Sequence, residues 1–425
     1  MYDLLLKNAR LEDGSLRDLA IQGGRFARIA PSLEESARES FDCRGMTLLP
    51  PFYNGHTHVA MVLLRGYADD LPLFPWLQEH IWPAEASLTP EDVAAGVRLA
   101  ILEMIKGGTV YFNDSYFHLP ETIQAVEEMG VRATIGLFYL DLGQEGPRER
   151  LRRQNQEVLQ RWKQGHSSRV GLSLNPHAIY TVPEKVLREM GEQARAEGLP
   201  IHIHLAETEK EFQDCQREHH GKTPFQYAYD CGLLTERSYL AHCVWMTEGD
   251  RRLAAETGAI LVANTTSNLK LCSGIFDFRA AEQAGCRIAL GTDGCASNNA
   301  HSMFSEMKFA ALAGKCRYGD PTACPAEKVF SWATEAGAAF VEGAGRIQEG
   351  ALADAMLLDL EQPYLVGDYH LRSNLVYAGE SSCVDSLLCD GHFLMRHRSV
   401  PGEGKILADA RRVCDKLRKL KEDAR

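Results

Sequence analysis

Residues 48–61 read LLPPFYNGHTHVAM, an apolar run that ends in His56 and His58. Residues two apart in a strand face the same side, so an H-x-H closing such a run can turn two imidazoles toward one metal ion. Alone the pair says little, because the chain has 15 histidines and a second H-x-H at His202 and His204. Its meaning depends on what surrounds it.

Downstream, apolar runs of strand length alternate with amphipathic stretches. After LLPPFYN come TVYFND, VRATIGLFYL, VGLSLN, PIHIHLA, YLAHCV, AILVAN and RIALGTD. The intervening segments, such as PEDVAAGVRLAILEMIKGG and PEKVLREMGEQARAEG, open on Pro and close on Gly as helices do. Eight strand-helix units predict an α/β fold, a (β/α)8 TIM-like barrel. No G-x-G-x-x-G follows any of these strands, which argues against a doubly wound dinucleotide fold.

The two ends have a different texture. DLLLKNA, the turn signal EDGS and DLAIQGGRFARIA read as strands and a hairpin, and ALADAMLLDL with SLLCDGHFLMRH repeats that texture near the other end. The expected organisation is a small discontinuous β-sandwich domain built from residues 1–48 and 349–425, around a catalytic barrel at 49–348. The last stretch, RRVCDKLRKLKEDAR, is spaced as an amphipathic terminal helix with a solvated charged side.

Composition narrows the function. A formal net charge of -12 argues against nucleic acid as a partner. No run is long and apolar enough to span a bilayer, and MYDLLLKNARLEDG meets charge too soon for a secretory signal. The 12 cysteines are scattered without a C-x-x-C, which suits a reduced, cytoplasmic protein better than a disulfide framework.

In a barrel of this type, reactive groups sit where strands end and loops begin. His56 and His58 close the first strand, His177 follows the fourth in SLNPHAIY, and His204 and Glu207 close the fifth. His242 closes the sixth and Asp293 the eighth, in IALGTDG. Imidazole nitrogens with a carboxylate suit a zinc-like divalent ion that keeps an open position. A site of that kind lowers the pKa of water to about 7.

The order HTH, H-x-x-E, AHC and GTDG resembles the amidohydrolase superfamily, in its single-metal aminohydrolase branch. The runs LLRGYADDLPLFPWLQEHIWPAEASLTPEDV, SNLKLCSG and GTDGCASNNAHSMFSEMK extend the resemblance to the S-adenosylhomocysteine/5-methylthioadenosine deaminases and their triazine-hydrolase relatives. It implies that His56, His58, His204 and Asp293 bind one divalent metal ion, Zn2+ first, with Fe2+ or Mn2+ as alternatives. It implies catalytic roles for Glu207, His242 and Asp293: Asp293 takes a proton from water, His242 polarises the nucleophile or the ring, and Glu207 protonates the ring nitrogen. Trp76, Glu85 and His177 match substrate-binding positions, and His202 reads as a bystander.

The activity implied is hydrolytic deamination of adenosine, 5'-deoxyadenosine or 5'-methylthioadenosine, giving ammonia and the inosine analogue. The partners expected are this small-molecule substrate and further copies of the chain in a homo-oligomer. After the third strand the chain reads IGLFYLDLGQEG, apolar and then acidic, where S-adenosylhomocysteine deaminases carry arginines for the amino-acid carboxylate. A buried carboxylate needs a cationic or hydrogen-bonding partner, so a homocysteine tail fits poorly. Arg148, Arg150, Arg152 and Arg153 read as solvated helix charge. Pro51, where relatives have Gly, predicts a shifted backbone with the site intact. Two other readings remain: a hydrolase of a non-nucleoside ring such as a pterin, 8-oxoguanine or a triazine, and a non-enzymatic barrel scaffold.

Overall fold

The computed structural model describes residues 1–71, 75–141, 143, 145–367 and 369–423. Residues 72–74, Leu142 and Gln144, which belong to two of the stretches singled out above, lie outside the described residues, as do the last two of RRVCDKLRKLKEDAR.

The N-terminal strands are β1 (Tyr2–Arg10), β2 (Leu16–Gln22), β3 (Arg25–Ala30), β4 (Ala37–Asp42) and β5 (Met46–Leu49). Then come β6 (Phe52–Thr57), β7 (Thr109–Asp114), β8 (Arg132–Tyr139), β9 (Val170–Pro176), β10 (Ile201–Leu205), β11 (Ser238–His242), β12 (Ile260–Ala263) and β13 (Arg287–Leu290). The chain closes with β14 (Ala355–Asp359), β15 (Val384–Cys389) and β16 (His392–Met395).

Strands β6 to β13 pair in chain order, every ladder parallel, with helices between them. They form the expected eight-stranded barrel. The first strand starts later than its apolar run suggests: Leu48 and Leu49 belong to β5, and β6 runs from Phe52 into the HTH itself. Pro50 and Pro51 lie between the two strands; neither has an N–H to give a ladder, so pairing resumes only when Phe52 N donates to Gly108 O (2.9 Å).

The seam between β13 and β6 is closed by polar contacts. His56 O accepts from Asp293 N at 2.9 Å. Asn54 clasps Thr292 twice, its Oδ1 accepting from the backbone N (2.9 Å) and its Nδ2 donating to Oγ1 (2.7 Å).

Strands from both ends share a second, mixed sheet in the order β16-β15-β14-β5-β1-β2-β3. It forks along β1, whose Tyr2–Lys7 stretch pairs with β4 while Arg10 pairs with Thr47 of β5. Leu6, Leu19, Phe26, Leu48, Leu357 and Leu388 fill its core. A buried ion-pair network joins this sheet to the foot of the barrel. Arg132 at the start of β8 pairs with Asp354 (3.2 Å) and Asp390, and Arg169 pairs with Asp390 (3.2 Å).

The terminal helix, Glu403–Asp423, buries Ile406, Ala410, Val413 and Leu417, one stripe at helical spacing. It packs along the barrel helix Pro90–Lys106, with Lys106 paired to Glu403 and Lys416 to Asp92. Among the described residues no helix is long and apolar enough to cross a membrane.

Asn54→Ala should lower stability by about 1–3 kcal/mol, because it strands the buried Thr292 N–H. Urea denaturation monitored by circular dichroism measures this; an unchanged midpoint would show that the seam does not need the clasp.

Candidate active site

The HTH turn is held from below by Asp114, at the end of β7. Its Oδ1 accepts from Val59 N (2.9 Å) and from Thr57 Oγ1 (3.4 Å). Fully enclosed, this carboxyl is pushed up to about 6 by burial. Above it, His56 and His58 meet His204 from β10 and Asp293 from the loop after β13. His58 Nε2 lies 3.1 Å from His204 Nε2, and Asp293 Oδ1 lies 3.5 Å from His56 Nε2 and 3.3 Å from His58 Nε2.

The outer nitrogens explain why the inner ones converge. His58 Nδ1 donates to Ser115 O, and His204 Nδ1 to His177 O (2.7 Å); carbonyls only accept, so the hydrogen of each neutral ring sits on Nδ1. In that neutral form their Nε2 atoms face one another as bare lone pairs. His56 Nδ1 contacts His202 Nε2 at 2.8 Å, and His56 Nε2 has no hydrogen-bond partner although fully buried. Two unprotonated nitrogens at 3.1 Å repel unless a cation lies between them. The four groups therefore suit a divalent ion. His56, His58 and His204 have donor atoms within metal-binding reach of one another, and so do His56, His242 and Asp293.

The local electrostatics agree. Burial above all lowers His56 to about 4, and burial with neighbouring histidines takes His204 well below its ordinary value. His58 moves the other way: burial opposes its charge, but the hydrogen bond and charge of Asp293 prevail. Burial also opposes the charge of Asp293, yet the facing His56 and His58 keep its carboxyl well below the usual range. His56 and His204 are thereby held neutral and Asp293 anionic, the states in which these groups ligate a metal.

Asp293 is oriented by Ser267 Oγ (2.6 Å) and Ser297 Oγ (3.0 Å) donating to Oδ2, and by Gly294 N (2.7 Å) donating to Oδ1. Its backbone is left-handed, as is that of His242, with φ of 62° and 73°. Non-glycine residues held there store strain, here at the two strand ends that aim side chains into the site. A Cβ on Gly291 would lie 2.7 Å from His56 N, so only glycine lets these strand ends approach so closely.

His242 Nδ1 pairs with Asn268 Oδ1 at 2.8 Å, leaving Nε2 toward Glu207 Oε2 at 3.8 Å. Glu207 takes a hydrogen bond from Ser273 Oγ (3.2 Å). Its backbone is fixed by Glu211, a buried carboxyl that accepts from Ala206 N (2.9 Å) and Glu207 N (2.8 Å).

One cavity opens onto this cluster. Its walls include Trp76, Glu85, Tyr116, Phe138, Leu140, His177 and Tyr180, together with His58, His204, Glu207, His242 and Asp293. Trp76 is buried, with its indole N–H on Ala68 O (2.8 Å), and Glu85 Oε1 accepts from Tyr116 OH (2.6 Å). His177 is lowered to about 3 by burial and by the histidines around it, and its Nδ1 contacts Thr181 Oγ1 (2.9 Å). Every site residue singled out in the sequence faces this cavity except His56, which lies beneath it. No lysine or arginine is among the described lining residues. Arg148 pairs instead with Asp141, and Arg148 and Arg152 line a separate groove on the outer side of the barrel.

Sequence reasoning passed over several supporting groups. His202, read as a bystander, touches His56. Ser267, Asn268 and Ser297 lay inside quoted motifs without a role. Asp114, Tyr116 and Glu211 carried no signal in spacing, since Asp114 and Tyr116 act on residues distant in sequence and Glu211 acts on the backbone of a turn.

Comparison with known proteins agrees with this geometry. Residues 47–394 match the family model described as the amidohydrolase family. Over 371 residues the chain is 43% identical to a 5'-deoxyadenosine deaminase of Methanoregula boonei, covering 87% of this chain and 84% of that one. It is 42% identical over 366 residues to a 5-methylthioadenosine/S-adenosylhomocysteine deaminase of Halobacterium salinarum, covering 85% and 84%. The crystal structure of an adenosine deaminase from Xanthomonas campestris with bound zinc is similar at a TM-score of 0.93 and 31% identity, over 98% of this chain and 99% of that one.

Burial pushes Glu85 up to about 7 from an ordinary 4.5. A carboxyl whose folded pKa is raised binds its proton more tightly when folded, so it removes stability as pH rises through that window. Glu85→Gln cannot ionise. Its Tm relative to the unaltered protein should therefore climb between about pH 4.5 and 7, and a pH-independent offset in thermal melts would contradict the shift.

Proposed function

Because the chain belongs to the amidohydrolase family, we propose that it is a metal-dependent hydrolytic deaminase of an adenosine-type nucleoside with a small, uncharged 5'-group. 5'-Deoxyadenosine, adenosine and 5'-methylthioadenosine fit this description. The observation that carries the reading is the cavity itself: Glu85 and Trp76 stand in the same chamber as the histidine and carboxylate cluster, and its described lining holds no cation for an amino-acid tail.

His56, His58, His204 and Asp293 would hold the metal, zinc in the first instance. When bound, such an ion supplies Lewis acidity that brings the pKa of water down to about 7. Asp293, held by Ser267 and Ser297, would receive the proton that water gives up as it attacks the purine carbon bearing the amino group. His242, its tautomer set by Asn268, presents Nε2 to the nucleophile and orients it. Glu207 donates a proton to the adjacent ring nitrogen, which lets the electrons of the attacked C=N bond settle there. Asp293 then passes the proton it took to the amino group, and collapse of the tetrahedral carbon expels ammonia while the hydroxyl proton returns to Glu207, leaving the inosine analogue. Glu85 accepts from the two ribose hydroxyls, and Trp76 walls the sugar or base. His177 contributes to the substrate wall while its carbonyl holds His204.

In this reading catalysis belongs to residues 49–348, and residues 1–48 and 349–425 support the barrel. The enzyme works in the cytoplasm as a homo-oligomer. Twelve unpaired cysteines suit a reducing compartment, and Phe309 and Leu312, exposed one turn apart on a single helix, suit contact between copies.

Ammonia release compared across adenosine, 5'-deoxyadenosine, 5'-methylthioadenosine, S-adenosylhomocysteine and adenine tests the substrate. Turnover should favour the neutral nucleosides; a preference for S-adenosylhomocysteine, or activity on free bases alone, would refute the reading. Glu207→Gln should keep its metal and lose about 10²–10⁴-fold in kcat, the usual contribution of a positioned acid or base. His204→Ala should lose the metal, as read by elemental analysis after dialysis.

A further inference from the structure

We propose that the C-terminal helix sets substrate affinity, by clamping both ends of the chain segment that carries Trp76 and Glu85. The inference rests on the reading of that cavity as a nucleoside site.

The segment leaves the barrel after the turn Val59–Leu64 and returns at the helix Pro90–Lys106. Trp76, Leu77, Trp82 and Glu85 all face the cavity from it. At its near end Lys421 donates to Tyr67 O, and its ammonium stands 4.9 Å from the centre of the Tyr67 ring. The next carbonyl along, Ala68 O, holds the Trp76 indole. At the far end Lys416 donates to Ser87 O (2.8 Å), two residues past Glu85, and pairs with Asp92 (2.6 Å), which caps the following helix with Thr89.

Both lysines come from one rigid element. The helix is seated by Ile406, Ala410, Val413 and Leu417, so the spacing between its two anchors is fixed by packing remote from the metal cluster. Exposed ion pairs contribute little to stability on their own. Here, though, the contacts hold two backbone carbonyls, and their effect is to order in advance Trp76 and Glu85, which binding would otherwise have to order. Pre-organisation of that kind appears as affinity. Neither lysine touches the reacting atoms, so both are positioning residues.

The test uses the metal-loaded full chain with Lys416→Met, Lys421→Met and the double variant. The double variant should raise KM for 5'-deoxyadenosine about tenfold, with kcat and metal content unchanged. Without substrate, its amides flanking Trp76 and Glu85 should exchange hydrogen faster than those of the parent. Unchanged exchange overturns the clamp, and faster exchange with unchanged KM overturns its role in affinity. A fall in kcat or loss of metal overturns it in favour of a general structural role. If the parent deaminates no nucleoside, the functional reading fails, while the exchange data still decide the clamp.

Discussion

The site depends on the seam where the eighth barrel strand meets the first. The first strand carries the HTH pair and the last leads into Asp293, so without closure these groups would stand at opposite edges of an open sheet. The bond from Asp293 N to His56 O joins the two segments at the level of the cluster, and the Asn54 clasp on Thr292 holds them one layer lower. A parallel barrel that closes its last seam with a main-chain bond and the side-chain amide of Asn54 can tolerate the irregular backbone that Asp293 requires.

Around the seam, the fold spends its carbonyls on the outer nitrogens of histidines. Ser115 O and His177 O fix two rings, and His202 fixes a third. The inner nitrogens are thereby arranged before any ion arrives, at the cost of placing lone pairs where they repel. Buried carboxyls at Asp114 and Glu211 perform the same service for backbone amides, pinning the HTH turn and the turn at Ala206.

Much of this was legible in the chain. Alternation of strand and helix signals predicted the barrel, and histidines at strand ends predicted the cluster, because strand termini in this architecture face one side. The stretch IGLFYLDLGQEG, read as lacking the arginines that would hold an amino-acid carboxylate, contributes Phe138 and Leu140 to the cavity wall. The exact start of the first strand was not legible: an apolar run looks the same whether two prolines divide it between sheets or not. Nor was His202, since the two-residue period that brings His202 and His204 to one face does not say that one ring lies behind the other. The C-terminal helix was readable as amphipathic, but its docking partner was not, because a stripe of Ile406, Ala410, Val413 and Leu417 would fit any apolar ridge.

The mixed sheet has a consequence for how the molecule is made. Its central ladder pairs Leu49 with Met356, residues at opposite ends of the barrel sequence. During synthesis β1 to β5 emerge before the barrel and wait, with the edge of β5 bare, until every barrel strand has followed. Such long-range closure is slow, and exposed strand edges recruit other chains. Synthesis that stalls after the barrel strands would leave β5 as the surface on which unfinished copies pair with each other rather than with themselves.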